Sequence, residues 1–136
     1  MDAFIERWRN ELMLLARILM MVLFVMSGWA KLTGFQGTVG YMASTGAPVP
    51  AVAAAIAVIM EFGGGICLLI GFWTRPLALL MALFVLGTSL IGHHYWNMEG
   101  AAQAANKIQF YKNLTIMGGL FLLAAVGPGK YAVQKS

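Results

Sequence analysis

Two ionisable residues, Arg17 and Glu61, lie inside long apolar stretches of the sequence. A charged side chain at the centre of a membrane-spanning helix costs about 2.5–3.5 kcal/mol, so it needs a partner or a function. On a helix, Glu61 shares a face with Ala54, Ala57 and Gly64, and such small residues let neighbouring helices approach closely. The sequence therefore predicts that Glu61 points into a helix bundle, where it forms an intramembrane polar network with Arg17.

A second interpretation of these two residues stays open. The Arg17 side chain is expected about 7–8 Å inside the nearer membrane boundary, from which its guanidinium reaches the lipid headgroups. Glu61 would lie roughly 15 Å from either surface, too deep to reach water. In this interpretation Glu61 is a protonated, hydrogen-bonded packing residue.

Further polar residues lie where the apolar stretches end away from the chain termini. An imidazole of His93 or His94 facing a pocket would hydrogen-bond a polar headgroup or a quinone ring. The candidate pocket residues are Lys31, Tyr41, His93, His94, Lys112 and Asn113. The alternative is an interfacial belt of aromatic residues and histidines at 92–96, with Lys112 reaching the interface on its own. Adjacent histidines diverge on a helix and no HxxxH spacing occurs, so no metal site is predicted.

The composition indicates the elements that must position these residues. Apolar residues make up 60% of the 136 residues and charged residues 10%, whereas soluble domains average about 45–50% and 25%. The sequence predicts an all-α, integral membrane four-helix transmembrane bundle, a single membrane domain over residues 1–136. The spans are expected at residues 12–30, 51–72, 77–92 and 110–126. This excludes a large soluble catalytic domain, and the lipid bilayer is the expected surroundings.

The connections between the spans differ in length and composition. Residues 32–50 form a polar loop with a short interfacial helix expected at 35–42, and residues 97–109 form a second loop. The WTRP sequence at 73–76 predicts a tight turn, because proline is tolerated in the first turn of a helix but not in its interior. The glycines and proline at 127–129 end the last span.

The distribution of lysine and arginine predicts the orientation. Cytoplasmic loops carry an excess of these residues. Placing both termini in the cytoplasm puts five of them inside and three outside, namely Arg7, Arg9, Arg75, Lys130 and Lys135 against Lys31, Lys107 and Lys112. These residues lie mostly at span ends and form no basic patch, so no nucleic-acid partner is expected.

Several motifs in a fixed order resemble the DoxX family, and in particular its small bacterial inner-membrane members. They are Arg17, SGWAKLTGF at 27–35, YMASTGAPVP at 41–50, Glu61 with the glycines at 63–65, GFWTRPLA at 71–78, GHHYW at 92–96, KN at 112–113 and GPG at 127–129. The resemblance covers nearly the whole chain. It implies a four-span bundle in the inner membrane, with recurring polar positions at Arg17, Lys31, Glu61, Arg75 and Asn113.

The resemblance also implies a class of function. The family is named for the small membrane subunit of an archaeal thiosulfate:quinone oxidoreductase, so we expect a membrane subunit of a quinone-linked redox system, with a separate catalytic partner. The sequence carries no cofactor-binding fingerprint and no self-contained catalytic motif, and a shared fold does not transfer chemistry. The alternatives are a small-solute carrier or channel, which four short spans favour only as a homo-oligomer, and a non-catalytic membrane scaffold.

Overall fold

Residues 1–134 are described by the computed structural model, and helices make up most of this range. The elements are α1 (Asp2–Arg7), α2 (Arg9–Thr33), α3 (Phe35–Ser44), α4 (Pro50–Val58), a π-helical segment (Ile59–Gly64), α5 (Gly65–Ile70), α6 (Thr74–Gly92), a short 3-10 helix (Tyr95–Asn97) and α7 (Gly100–Val126). Lys135, which contributes to the predicted orientation, lies outside the described residues.

Four helices within this range are long and apolar enough to cross a membrane. They are Arg9–Thr33, Pro50–Ile70, Thr74–Asn97 and Gly100–Val126. The second comprises α4, the π-helical segment and α5, and we call it span 2. Pro50 starts span 2 at a position where its missing amide is not needed, and Gly71 ends it with a left-handed φ of 78°. The predicted all-α, four-span membrane fold is confirmed.

The connections differ from the prediction in one respect. The loop predicted at residues 97–109 is wrong, because α7 already begins at Gly100. Residues 101–105 (AAQAA) have high intrinsic helix propensity, so the helix begins well before the strongly apolar run of the last span. The predicted short helix at 35–42 is present as α3, two residues longer at its carboxyl end.

The four spans are arranged as two pairs. Helix α2 packs along span 2 and α6 packs along α7, while contacts between the pairs are fewer and involve mainly α5, the π-helical segment and α6. The buried core residues are Met21, Phe24, Leu68, Leu77, Ala78, Met81, Ala82, Val85, Leu120 and Leu123. Those on span 2, α6 and α7 lie towards the ends of these helices that are nearer the chain termini. The opposite half of the bundle is therefore less tightly filled.

A terminal strap, residues 127–134, crosses the termini end of the bundle. The Lys130 amide donates to Asn10 Oδ1 (2.9 Å), and the Val133 amide donates to the Ile70 carbonyl (3.0 Å). The Tyr131 hydroxyl donates to Glu11 Oε1 (3.1 Å), and this bond raises the pKa of Tyr131. The amino-terminal residues and residues 127–134 therefore lie at the same end of the bundle, which we call the termini end, and the strap joins α2 to span 2.

Candidate functional site

A cavity of about 650 Å³ lies between the two helix pairs, in the half of the bundle away from the termini. Its walls come from α2, span 2, α6, α7 and the segment from α3 to Pro50, and they are mostly apolar. The polar residues that line it are Ser27, Lys31, Tyr41, Thr45, Glu61, Thr88, His93, Gln109 and Asn113. An apolar cavity of this size with a few polar groups is typical of a small-molecule site.

An ion pair between Lys31 and Glu61 lies in the wall of this cavity. Lys31 Nζ is 3.1 Å from Glu61 Oε1 and 3.1 Å from Glu61 Oε2, and it also donates to Ser27 Oγ at 2.7 Å. The Glu61 side chain is 10% exposed and that of Lys31 26% exposed. The lysine therefore neutralises the carboxylate and supplies its hydrogen-bond donor, which a buried carboxylate requires.

Gly28 allows the two residues to meet. A Cβ atom at Gly28 would lie 2.7 Å from the Cα of Phe62, the residue that follows Glu61. Only a glycine permits α2 to approach the backbone of the π-helical segment so closely. Lys31 follows Gly28 by one helical turn on the same face, so this contact places its side chain beside Glu61. Single-turn π segments inside α-helices are frequent at functional sites.

Arg17 and Glu61 have separate partners, so the predicted pairing between them is corrected. Arg17 is 1% exposed, and its guanidinium donates to the carbonyls of Leu69 (2.8 Å), Leu68 (3.4 Å) and Tyr131. Leu68 and Leu69 belong to the last turn of α5, where carbonyls lack the amide that a continuing helix would supply, and the Leu68 carbonyl also accepts the Gly71 amide at 3.3 Å. Arg17 thus caps the end of span 2 and holds the strap, which is a structural role outside the cavity.

The predicted pocket residues divide into two groups. Lys31, Tyr41, His93 and Asn113 line the cavity together with Glu61. His94 does not line it, and its Nδ1 lies 2.8 Å from the Ile91 carbonyl. Lys112 is exposed on a shallow groove of α7 beside Lys107 and Tyr111. His94, in the segment between α6 and the 3-10 helix, and Lys112, on α7, therefore lie outside the lining of this cavity.

Two hydrogen-bond networks fix polar groups at the end of the cavity that is farther from the chain termini. His93 Nδ1 lies 2.8 Å from Asn106 Oδ1, and Asn106 Nδ2 donates to the Ala102 carbonyl at 2.9 Å. Asn113 Nδ2 donates to Ser89 Oγ at 2.8 Å, and Ser89 Oγ donates to the Val85 carbonyl at 2.9 Å. Both networks join α6, or the segment just after it, to α7.

Sequence reasoning missed three of these residues. Ser27 lies one helical turn before Lys31, a spacing that signals a side-chain contact. Ser89 is a hydroxyl in an apolar run, a signal that it needs a buried partner. Asn106 carried no signal, because it falls in the stretch that was predicted to be a loop.

The segment before span 2 contains a strained residue. Val49 has φ 46° and ψ 74°, a left-handed conformation that β-branched residues rarely adopt. It lies between Pro48 and Pro50 and lines the cavity. Such strain persists only where surrounding structure holds it, and it is common in ligand-binding segments.

Comparison with known proteins finds one matching family model and several similar proteins. Residues 12–94 match the family model described as DoxX. The chain is 50% identical over 127 residues to "Inner membrane protein YphA" of Escherichia coli (strain K12), covering 93% of this chain and 91% of that protein. It is 44% identical over 122 residues to "Inner membrane protein YqjF" of the same organism, covering 90% and 88%.

A more distant relative is "ER-derived vesicles protein ERV29" of Saccharomyces cerevisiae (strain ATCC 204508 / S288c), which is 30% identical over 78 residues, 57% of this chain and 25% of that protein. No solved structure matches the chain. The inner-membrane relatives and the four apolar helices indicate a multi-pass protein of the inner membrane. Because the family model covers the greater part of the sequence and two relatives align over nearly all of it, the chain belongs to the DoxX family.

Proposed function

We propose that the protein is a small membrane subunit of a redox system and that its cavity binds a quinone-class molecule dissolved in the bilayer. The observation that carries this proposal is the cavity of about 650 Å³, with apolar walls and the Lys31–Glu61 pair, His93 and Asn113 in its lining. When bound, a quinone would supply the capacity to carry electrons and protons to or from a partner protein.

The lining fits the ring of a quinone. Apolar side chains such as Phe24, Val85 and Ile116 contribute flat or branched surfaces for the ring. Lys31 supplies an ammonium group, and Tyr41 a hydroxyl, for the oxygens on the ring. The polar groups lie on different helices, so they approach a bound ring from more than one side.

The helices also leave a route from the lipid. Met20 of α2 lies against Gly119 of α7, where an added Cβ would be 2.8 Å from the Met20 methyl group. Farther from the termini both helices line the cavity, through Leu23 and Ile116 among others. Leu23 is 60% exposed, so the cavity wall is continuous with the lipid-facing surface. A ring with a long apolar tail could enter from this side and leave its tail in the bilayer.

A quinone inventory with two tryptophan variants tests this proposal. Ile56 lines the cavity, whereas Ile59 on the same span does not, and both side chains are exposed. Ile56→Trp should narrow the cavity and Ile59→Trp should leave it intact. Mass spectrometry of lipid extracts from gently purified protein should find quinone with the unchanged chain and with Ile59→Trp, and clearly less with Ile56→Trp. Equal quinone in all three samples, or none in any, contradicts the proposal.

The two alternative functions make different predictions. A solute carrier or channel would give flux in liposomes that contain this protein alone, and a scaffold would give neither flux nor bound quinone. A redox subunit should instead retain quinone and copurify with a redox-active protein. Flux by the purified protein without bound quinone would favour the carrier over the function proposed here.

We also propose that both termini face the cytoplasm. The described cations at the termini end are Arg7, Arg9, Arg17, Arg75 and Lys130, while Lys31, Lys107 and Lys112 lie towards the opposite end. The excess of positive charge supports the placement of the termini end in the cytoplasm.

A further inference from the structure

His93 is placed differently from its neighbour His94. It follows the last residue of α6, where its amide donates to the Ser89 carbonyl at 3.0 Å. Its ring lines the cavity, and its Nδ1 lies 2.8 Å from Asn106 Oδ1. The His94 ring is outside the cavity, with Nδ1 near the Ile91 carbonyl. The two adjacent imidazoles therefore have different surroundings, and of the two only the His93 ring lines the cavity.

The Asn106 amide fixes the tautomer of His93. Asn106 Nδ2 is 2.9 Å from the Ala102 carbonyl, which can only accept a hydrogen bond, so the NH2 group points to Ala102 and Oδ1 points to His93. Because Oδ1 also only accepts, His93 Nδ1 must carry the hydrogen. In the neutral ring Nε2 then has a free lone pair. Within residues 1–134, Nε2 has no hydrogen-bond partner.

Asn113 is fixed in a similar way. Ser89 has one hydroxyl hydrogen, which it donates to the Val85 carbonyl at 2.9 Å. Ser89 Oγ can therefore only accept from Asn113, so Asn113 Nδ2 must point to it, at 2.8 Å. Asn113 Oδ1 is left as an acceptor without a donor in the described part of the chain. Asn106 and Asn113 are seven residues apart and lie on one face of α7.

We infer that the cavity prefers ring ligands that carry a hydroxyl group, the phenol or quinol form, over the corresponding quinone. His93 and Asn113 both line the cavity, and each has one acceptor without a donor, His93 Nε2 and Asn113 Oδ1, to either of which a ligand hydroxyl can donate its single hydrogen. A quinone oxygen has lone pairs only, so it can donate to neither acceptor, and an acceptor that the ring removes from water stays unpaired. This inference rests on the proposed function, because it specifies the form of the ring molecule bound in the same cavity.

The expected preference is large enough to measure. Leaving a buried acceptor unsatisfied corresponds to about a ten- to a hundredfold loss of affinity. Lys31, Glu61 and Tyr41 are the other titratable groups in the cavity lining. The Lys31 ammonium donates to Ser27 and Glu61, and its third hydrogen can bind a ring oxygen of the quinol or of the quinone, so it does not by itself distinguish the two forms.

Three related ligands test the preference. We would measure the affinity of the purified full-length protein in detergent, by equilibrium dialysis under anaerobic conditions, for ubiquinol-1, ubiquinone-1 and the dimethyl ether of ubiquinol-1. The unchanged chain should bind ubiquinol-1 at least about tenfold more tightly than either of the others. The dimethyl ether has the same ring but no hydroxyl hydrogen, so it separates hydrogen bonding from differences in ring electronics.

Two pairs of variants identify the responsible residues. His93→Leu should abolish the preference for ubiquinol-1, and the matched His94→Leu should retain it. Asn106→Leu frees the tautomer of His93 and should weaken the preference, whereas Asn106→Asp keeps an acceptor for Nδ1 and should restore it. Thermal unfolding of each variant checks that the fold is preserved. Asn106 is a positioning residue in this scheme.

The outcomes separate the inference from the proposed function. Equal affinity for all three ligands, or an effect of His94→Leu equal to that of His93→Leu, overturns the inference while quinone binding stands. A preference for ubiquinone-1 over ubiquinol-1 overturns it as well. Binding of none of the three ligands overturns both the inference and the proposed function.

Discussion

The Lys31 ammonium lies 3.1 Å from both carboxylate oxygens of Glu61, across the contact between α2 and the π-helical segment of span 2. The pair buries most of the carboxylate without leaving a net charge inside the bundle. Ser27 accepts a further hydrogen bond from the ammonium at 2.7 Å. This arrangement explains why an acidic residue is tolerated so far from either end of an apolar span.

A double-mutant cycle should detect this pair as a coupling free energy. Lys31→Met leaves the buried Glu61 without its cation, and we expect it to lower the free energy of unfolding by about 2–4 kcal/mol. Combining it with Glu61→Gln removes both charges, so the double variant should lose less stability than the sum of the two single variants. Thermal unfolding in detergent measures the stability of the unchanged chain, the two single variants and the double variant.

The matched cycle uses Arg17→Met with Glu61→Gln. Arg17 donates to backbone carbonyls and shares no partner with Glu61, so these two changes should be additive within about 0.5 kcal/mol. Additive losses in the Lys31 cycle, or strong coupling in the Arg17 cycle, would contradict the contacts described here.

Gly28→Ala should be one of the most damaging small substitutions in the chain. Its methyl group would lie 2.7 Å from the Phe62 Cα and 2.8 Å from the Phe62 Cβ, so α2 and the π-helical segment would have to separate. Overpacking of this kind costs about 1–3 kcal/mol. Gly118→Ala is the control, since that helical glycine has nothing within 4 Å of an added Cβ and alanine favours the helix by about 1 kcal/mol. The unfolding midpoint should fall below that of the unchanged chain for Gly28→Ala and rise above it for Gly118→Ala. Equal midpoints for the two variants would argue against the close approach of α2 to the π-helical segment.

Much of the fold could be predicted from the pattern of apolar residues. Each of the four spans contains a long, mostly apolar run, and the burial of Glu61 follows from the small residues at its helical spacings. The partner of Glu61 could not be predicted in the same way. The π-helical segment has more residues per turn than an α-helix, so it changes the direction in which the side chains of span 2 point after Ile59. A prediction that assumes 3.6 residues per turn along the whole span does not include this change.

The role of Arg17 depends on a part of the chain that gave no signal. Its acceptors include the Tyr131 carbonyl in the strap and the carbonyls that end α5. Backbone acceptors are present at every residue, so the sequence cannot show which of them an arginine will reach. Sequence reasoning predicted only part of the two hydrogen-bond networks in the cavity, since it placed His93 and Asn113 in the pocket. Their partners, Asn106 and Ser89, could not be predicted because they depend on how α6 packs on α7.

Arg17→Lys should destabilise the termini end of the bundle although the charge is kept. The arginine reaches carbonyls on α5 and on the strap with a planar fork of donors, whereas a lysine has one nitrogen on a flexible stem. We expect a loss of about 1–3 kcal/mol in the free energy of unfolding. Limited proteolysis should also cut residues 127–134 faster in the variant. An unchanged cleavage rate together with unchanged stability would show that Arg17 does not hold the strap.

Reporter fusions should find both termini in the cytoplasm. Among the described residues, the termini end carries Arg7, Arg9, Arg75 and Lys130, and the opposite end carries Lys31, Lys107 and Lys112, so the positive-inside rule favours this orientation. Green fluorescent protein at the carboxyl terminus should fluoresce, and alkaline phosphatase fused after Met98, between α6 and α7, should be active. The exchanged fusions are the controls, because each reporter works on only one side of the membrane. An active phosphatase at the carboxyl terminus with a fluorescent fusion after Met98 would reverse the orientation, and the cavity would then lie in the cytoplasmic half of the bilayer.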